Sequence, residues 1–275
     1  MTDRFKGRKA LVTGAGSGIG KATAEALAAR GATLVICDVD AVRVQETAEI
    51  LRARGATVAA HTLDVADREA YAAFAEAVLA DGPVDILVNN AGVGVGGRLM
   101  ETGLDDWDWV LGVNLWGVIY GNHFFVPGMI ASQRGGHVIN IASAAGLTGV
   151  PTLGAYSVSK CAVVAYSEAL HAELAESDVG VSVICPGFLA TRIMVDGRIR
   201  GAMNDGDGLT RVEKVMNRPG RRPEAVAAAI VGAIERRRFL VPLFSEARLL
   251  LFMRRFSPWI LSQSKRRLLK QVLGG

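Results

Sequence analysis

The chain has 275 residues, half of them apolar and 21% charged, with a net charge of +4. That composition supports a large core and excludes disorder for the bulk of the chain. The longest strongly apolar stretches, 225–234 and 247–253, fall well short of the ~20 residues a membrane-spanning helix needs. Three cysteines, Cys37, Cys161 and Cys185, are odd in number and far apart. They argue against a disulfide framework or a zinc site, and with a start that lacks an apolar h-region they lead us to expect a cytoplasmic protein.

Short β-rich runs alternate with helix-period stretches. In chain order the pattern predicts a strand at 9–14, a helix at 18–30, a strand at 33–38, a helix at 40–54, a strand at 57–65 and a helix at 67–80. It continues with a strand at 85–92, a helix at 105–132, a strand at 137–143, a helix at 155–177, a strand at 181–187, a helix at 223–236 and a strand at 238–243. Most of these strands are apolar on both faces, as expected where helices cover both sides of a parallel sheet. The fold class is therefore α/β, a doubly wound parallel sheet of about seven strands. The catalytic body is expected over 1–244. Within it, the Gly-, Asp-, Arg- and Met-rich stretch 188–222 reads as a substrate lid.

The charge is uneven. Residues 236–275 hold ten Lys or Arg and one acid, Glu246, whereas the remainder carries 21 basic and 26 acidic residues, a balance of −5. Such a tail is a local interaction signal and not a nucleic-acid footprint. Its last part, 245–275, mixes Leu, Ile, Phe and Trp259 with clustered Arg and Lys, and Pro258 divides it into two short helices. Two readings stand: a helix pair packed on the protein's own body or across a dimer, which we favour for most of the apolar face, and an interfacial segment on a membrane surface.

TGAGSGIG (13–20) follows the first strand and opens the first helix. Gly14 permits a tight turn, and Gly18 and Gly20 let backbone approach a diphosphate, with Ser17 and Ile19 between them. The helix N-terminus then offers free N–H groups to phosphate. Asp38 ends the second strand 18 residues beyond Gly20. A carboxylate there accepts from ribose hydroxyls and repels a 2′-phosphate, which points to NAD(H) over NADP(H); the competing reading is a helix cap, a role Asp40 can fill. Asp64, with Val65 beside it, suits an acceptor for the adenine amino group, or else a cap for the helix near Asp67.

Tyr156 and Lys160, four apart in YSVSK, share a helix face. A neighbouring ammonium favours phenolate and lowers the tyrosine pKa from ~10 toward the working range. Ser143, ending the fifth strand, can donate to a substrate carbonyl oxygen or cap a turn. Asn114 is a polar residue within a long apolar helix and needs partners or a local helix irregularity; it reads either as the holder of a water next to Lys160 or as a structural amide.

Taken in order and spacing, TGAGSGIG, LDV (63–65), NNAG (89–92), Asn114, Ser143, Tyr156/Lys160 and PG (186–187) resemble the short-chain dehydrogenase/reductase family over about residues 5–195. The resemblance implies a Rossmann-type oxidoreductase moving hydride between nicotinamide and an alcohol or ketone carbon. Tyr156 would be the acid/base, Lys160 its partner and a ribose ligand, Ser143 the carbonyl stabiliser and Asn114 a relay anchor. Asn90, Ala91 and Gly92 would lie against the adenosine ribose and the central sheet. Pro186 and Gly187 would shape the nicotinamide pocket, and Thr191 would bond the carboxamide. A homo-oligomer through the helices at 105–132 and 155–177 is also implied. The ending departs from that of many tetrameric members and is similar to members acting on lipophilic alcohols.

Substrate-pocket candidates are Val93, Val95, Leu147, Leu153, Phe188, Ile193 and Met194, with Arg98 and Arg192 the nearest cations. This lining favours an apolar alcohol or ketone. The alternatives are an NADP(H)-dependent carbonyl or 3-oxoacyl reductase and a non-catalytic nucleotide sensor. The four histidines show no metal-ligand spacing and are expected on strand or helix surfaces, and Trp107, Trp109 and Trp116 in packing.

Overall fold

The computed structural model describes residues 4–187, 189, 193, 196–201 and 222–273. Strands β1 (Lys9–Thr13), β2 (Thr33–Asp38), β3 (Val58–Thr62), β4 (Ile86–Asn89), β6 (Gly136–Ile141), β7 (Val179–Cys185) and β9 (Leu240–Pro242) form one parallel sheet in the order β3-β2-β1-β4-β6-β7-β9. The chain winds outward from β1 to β3 and then returns to β4 on the other side of β1, with Val12 paired to both Ile36 and Val88. That reversal opens a crevice at the carboxyl ends of β1 and β4, where ligands bind in sheets of this kind. Each expected strand is present. Those that precede LDV, Ser143 and the PG pair end before these residues, and β4 ends on Asn89, the first residue of NNAG, so that Asn90, Ala91 and Gly92 join the others in loops at the same edge.

Alternation along the strands divides the core. Ala10, Val12, Leu34 and Ile36 face one layer, where they meet Leu27 of α1 (Gly18–Ala28), Val44 and Leu51 of α2 (Ala41–Ala53) and Val226 and Ile230 of α7 (Pro223–Arg236). Leu11, Val35 and Leu87 face the other, against Tyr71 and Phe74 of α3 (Arg68–Ala80) and Phe125 and Met129 of α5 (Gly117–Ala131). Asp40 and Asp67 cap α2 and α3 by accepting from backbone N–H groups of their first turns.

Two expectations need correction. The predicted helix 105–132 is two helices, α4 (Leu104–Leu111) and α5, joined by a π-helical turn at Gly112–Trp116 that contains Asn114. His137 lies buried on β6, its Nε2 2.7 Å from Ser182 Oγ, and burial pushes its pKa down to about 4. In the C-terminal region, α8 (Phe244–Phe256) and α9 (Pro258–Leu273) meet at Ser257, as Pro258 dictates.

Most of 188–222 lies outside the described residues. Within it, Arg198–Ile199 forms a short strand, β8, that pairs in parallel with β5 (Val95–Gly96). Asp106 of α4 holds this pair in place. Its buried carboxylate accepts from Nε and Nη2 of Arg200 at 2.9 and 2.8 Å and from Arg198 Nη1 at 3.2 Å. The Arg198 guanidinium also lies 4.2 Å from the Trp109 ring centroid. Hydrogen bonds from Arg200, joined by Arg198 and opposed by burial, lower the Asp106 pKa to about 2. A carboxylate held so low stays ionised well below its unfolded value and is lost only as pH falls toward about 2. We therefore expect amide hydrogen exchange of 196–201 to stay protected from neutral pH through pH ~4, and Asp106→Asn to raise exchange there at least tenfold at neutral pH while the exchange of β1 and β4 is unchanged.

Candidate active site

The glycine turn after β1 is built around Asn90. The Asn90 side-chain amide donates to the carbonyls of Thr13 and Gly14 at 2.9 and 3.1 Å, and Thr13 Oγ1 accepts from the N–H groups of Asn90 and Ala91, both at 3.0 Å. Gly14 has φ +63°, a left-handed conformation that favours glycine. A Cβ at Gly20 would collide with the Gly14 carbonyl and with the Asn90 amide. The turn therefore brings bare backbone and the N-terminus of α1 to the crevice. Ser17 stands at the cap position without a side-chain cap bond, and Gly18 and Ile19 open the helix.

Asp38 faces this turn from the end of β2. Its carboxylate accepts from Gly16 N at 2.8 Å and from Asp40 N at 3.0 Å, while Asp40 itself caps α2. Both roles weighed for Asp38 are thus separated: it lies at the loop and leaves the capping to its neighbour. The Arg43 side chain also borders Gly16, and its guanidinium pairs with Asp40 at 2.9 Å and Asp196 at 3.2 Å. The sequence reading missed Arg43, because only the first turn of α2 brings it back over the loop. Asp64 accepts from Ala66 N at 2.9 Å and Asp67 takes the capping role; Val65 is buried beside it.

At the next two strand ends stand the polar residues. Ser143 follows β6, opens a 3₁₀ turn at Ala144–Gly146 and accepts from Ala145 N at 3.1 Å. Tyr156 and Lys160 lie in the first half of α6 (Gly154–Glu173). Lys160 is buried, with Nζ donating to Ile141 O at 2.9 Å and lying 6.0 Å from the Tyr156 ring centroid. Asn114 is buried too; it exchanges two hydrogen bonds with the Val93 backbone at 2.8 and 3.0 Å and donates to Ser159 Oγ at 3.0 Å. A Cβ at Gly92 would stand 3.2 Å from Asn114 Oδ1 and 3.3 Å from Lys160 Nζ, so these three meet at one point. The structural role weighed for Asn114 is thus present, and the π-helical turn supplies the irregularity.

The titration of this group differs from the sequence expectation. Burial raises the Tyr156 pKa; the Ser143 hydroxyl, not Lys160, is what lowers it, and Cys185 raises it again. Cys185 is itself pushed up to about 12 by burial and is a neutral thiol at neutral pH, so its effect is absent there. Lys160 is pulled down to about 8 by burial, and it binds a backbone carbonyl instead of reaching the phenol. At this point desolvation decides the direction of both shifts.

Among the pocket candidates, Val95 is buried and Val93, Leu153 and Ile193 are half-buried. Leu147 is buried and borders a cavity of about 510 Å³ between α6 and α8, together with Cys161, Leu251 and Arg254. Phe188, Thr191, Arg192 and Met194 lie outside the described residues. Pro186 and Gly187 follow β7. There the structure adds a residue that sequence reasoning missed: the Glu246 carboxylate of α8 packs on Gly187 so closely that a Cβ at 187 would collide with it. Fifty-nine positions separate the two, and no local pattern joins them.

The cradle of bare backbone, the carboxylate of Asp38 and the buried Lys160 fit a dinucleotide. The comparisons agree. The family profile described as short chain dehydrogenase matches residues 8–199. The chain is 39% identical over 260 residues to the "Probable oxidoreductase EphD" of Mycobacterium tuberculosis, covering 93% of this chain but 44% of that protein, so it spans under half the length of that relative. It is 36% identical over 253 residues to the C alpha-dehydrogenase of Sphingobium sp., covering 89% of this chain and 83% of that one. A solved short chain dehydrogenase/reductase from Burkholderia phymatum in complex with NAD superposes with a TM-score of 0.80 at 38% identity, over 88% of this chain and 90% of that one. A metagenomic short-chain oxidoreductase in complex with NADP gives 0.68 at 32% identity, over 82% and 90%. With its Rossmann-type sheet, glycine turn and Tyr156/Lys160 helix, this chain belongs to the short-chain dehydrogenase/reductase family of NAD(P)-linked oxidoreductases.

Proposed function

We propose that this chain interconverts an apolar secondary alcohol and its ketone with NAD(H), with Tyr156 as the acid/base. The observation that carries the reading is the convergence of Tyr156, Ser143, Lys160 and Asn114 on the strand ends beside the glycine turn. The bound nicotinamide supplies the hydride acceptor or donor. In oxidation the Tyr156 phenolate takes the alcohol proton at its oxygen while Ser143 donates to the substrate oxygen; in reduction the phenol returns the proton. Lys160 would bond the cofactor's ribose hydroxyls, and Asn114 fixes the backbone of Val93 beside it. Val93, Val95, Leu153 and Ile193 support an apolar substrate, and the relative named C alpha-dehydrogenase is consistent with a dehydrogenation.

NAD(H) is preferred because Asp38 presents a carboxylate at the loop, and because the Arg43 charge is already met by Asp40 and Asp196. The one observation favouring NADP(H) is that same arginine, which borders the turn. Association of two or more copies through α5 and α6 is part of the proposal, since Ile130 of α5 and Val158 of α6 are exposed, as is Trp116 just before α5, which was expected in packing. A cytoplasmic location is likewise proposed; among the described residues no helix is long and apolar enough to cross a membrane.

Three measurements check the reading. Tyr156→Phe should lower kcat on a panel of ketones and secondary alcohols by about 10²-fold or more while NADH fluorescence titration shows nearly unchanged binding; a mutant keeping a tenth of wild-type kcat overturns the assignment. Because burial opposes phenolate, kcat/KM for oxidation should rise from neutral into alkaline pH and that for reduction should fall, and Ser143→Ala, which removes the hydrogen bond that opposes burial, should move both inflections upward. Wild-type enzyme should show the higher kcat/KM with NAD(H), and Asp38→Asn should narrow its ratio to NADP(H) by about tenfold or more.

A further inference from the structure

The C-terminal pair α8–α9 has two apolar faces, and the body covers one. Ala247 and Leu261 are buried, and Leu250 and Leu251 pack with Leu147, Val163 and Cys185. Arg254 donates to Leu147 O, and Lys265 Nζ to Thr148 Oγ1 at 2.6 Å. This inner contact is the packing that the sequence reading favoured.

The outer face is different. Leu249, Phe252 and Phe256 recur at the spacing of a single helix stripe, on the side of α8 away from Ala247 and Leu251. All three are exposed, Phe256 by 63%, and the Phe252 and Phe256 rings lie 5.0 Å apart. Trp259, by 72%, and Ile260 are exposed at the start of α9, three and four residues beyond Phe256. Arg248 and Arg255 flank it, the Arg255 guanidinium 5.6 Å from the Phe256 centroid, and Arg266 and Arg267 are exposed farther along α9. Glu246, the one acid of 236–275, has its carboxylate against Gly187, away from this stripe.

We propose that this outer face docks on an anionic lipid surface, with Leu249, Phe252, Phe256, Trp259 and Ile260 in the headgroup–acyl boundary and the flanking arginines on lipid phosphates. Charge selects this occupant over a second copy. A two-fold contact through the same stripe would set one arginine rim against another, and like charges facing each other oppose association. An anionic bilayer offers an apolar layer rimmed by negative charge, the complement of what the face presents. Trp259, apolar with one N–H, is suited to that boundary.

The test uses the full-length protein in co-sedimentation with vesicles of phosphatidylglycerol and phosphatidylcholine, beside vesicles of phosphatidylcholine alone, and light scattering of the lipid-free protein. Wild type should sediment with the anionic vesicles, weakly with the neutral ones, and be released by added salt. Phe256→Ser with Trp259→Ser should weaken binding at least tenfold, as should Arg248→Glu with Arg255→Glu, with NADH binding retained. Wild type staying in the supernatant with anionic vesicles, or binding by either variant equal to that of wild type, overturns the proposal. So does a fall in the solution mass of the Phe256/Trp259 variant, which would assign the face to a second copy.

Discussion

A buried ammonium group is costly unless acceptors surround it, and Lys160 is such a group. Its acceptor is the carbonyl of Ile141, the last residue of β6, so the end of that strand and the start of α6 must meet at a fixed distance. Around the same point lie Gly92, which leaves room for the ammonium, and Asn114, which ties the loop after β4 to α6 through Val93 and Ser159. Two strand ends, the π-helical turn and α6 are thereby fixed to one charge. The π-helical turn is part of that arrangement, since it places Asn114 where a regular helix would pass by.

That charge has a cost for the chemistry. Desolvation acts on Lys160 and Tyr156 together: it brings the ammonium toward neutrality and holds the phenol protonated. At neutral pH a lysine with a pKa of about 8 remains mostly charged. Groups that solvate the ammonium from the cofactor side, such as ribose hydroxyls, would favour its charged form further.

The sheet was legible because each strand is a short apolar run between loop signals, and both faces are covered. The glycine turn, Asp38 and the Tyr156/Lys160 pair were legible because their spacing is local. The rest was hidden by distance along the chain. Asp106 meets Arg200 across 94 residues, and nothing around WDWV announces an ion pair. Arg43 and Glu246 reach the site by folding back, and His137 reads as polar but is buried, because Ser182 on the adjacent strand answers it. The sign of the Tyr156 shift could not be read from spacing either, since burial decides it.

The contact between Gly187 and Glu246 ties the two ends of the β7–α8 region by volume alone. Any side chain at 187 needs a smaller or retracted residue at 246. Among related chains that carry these helices, a larger residue at 187 should therefore be matched by a smaller one at 246.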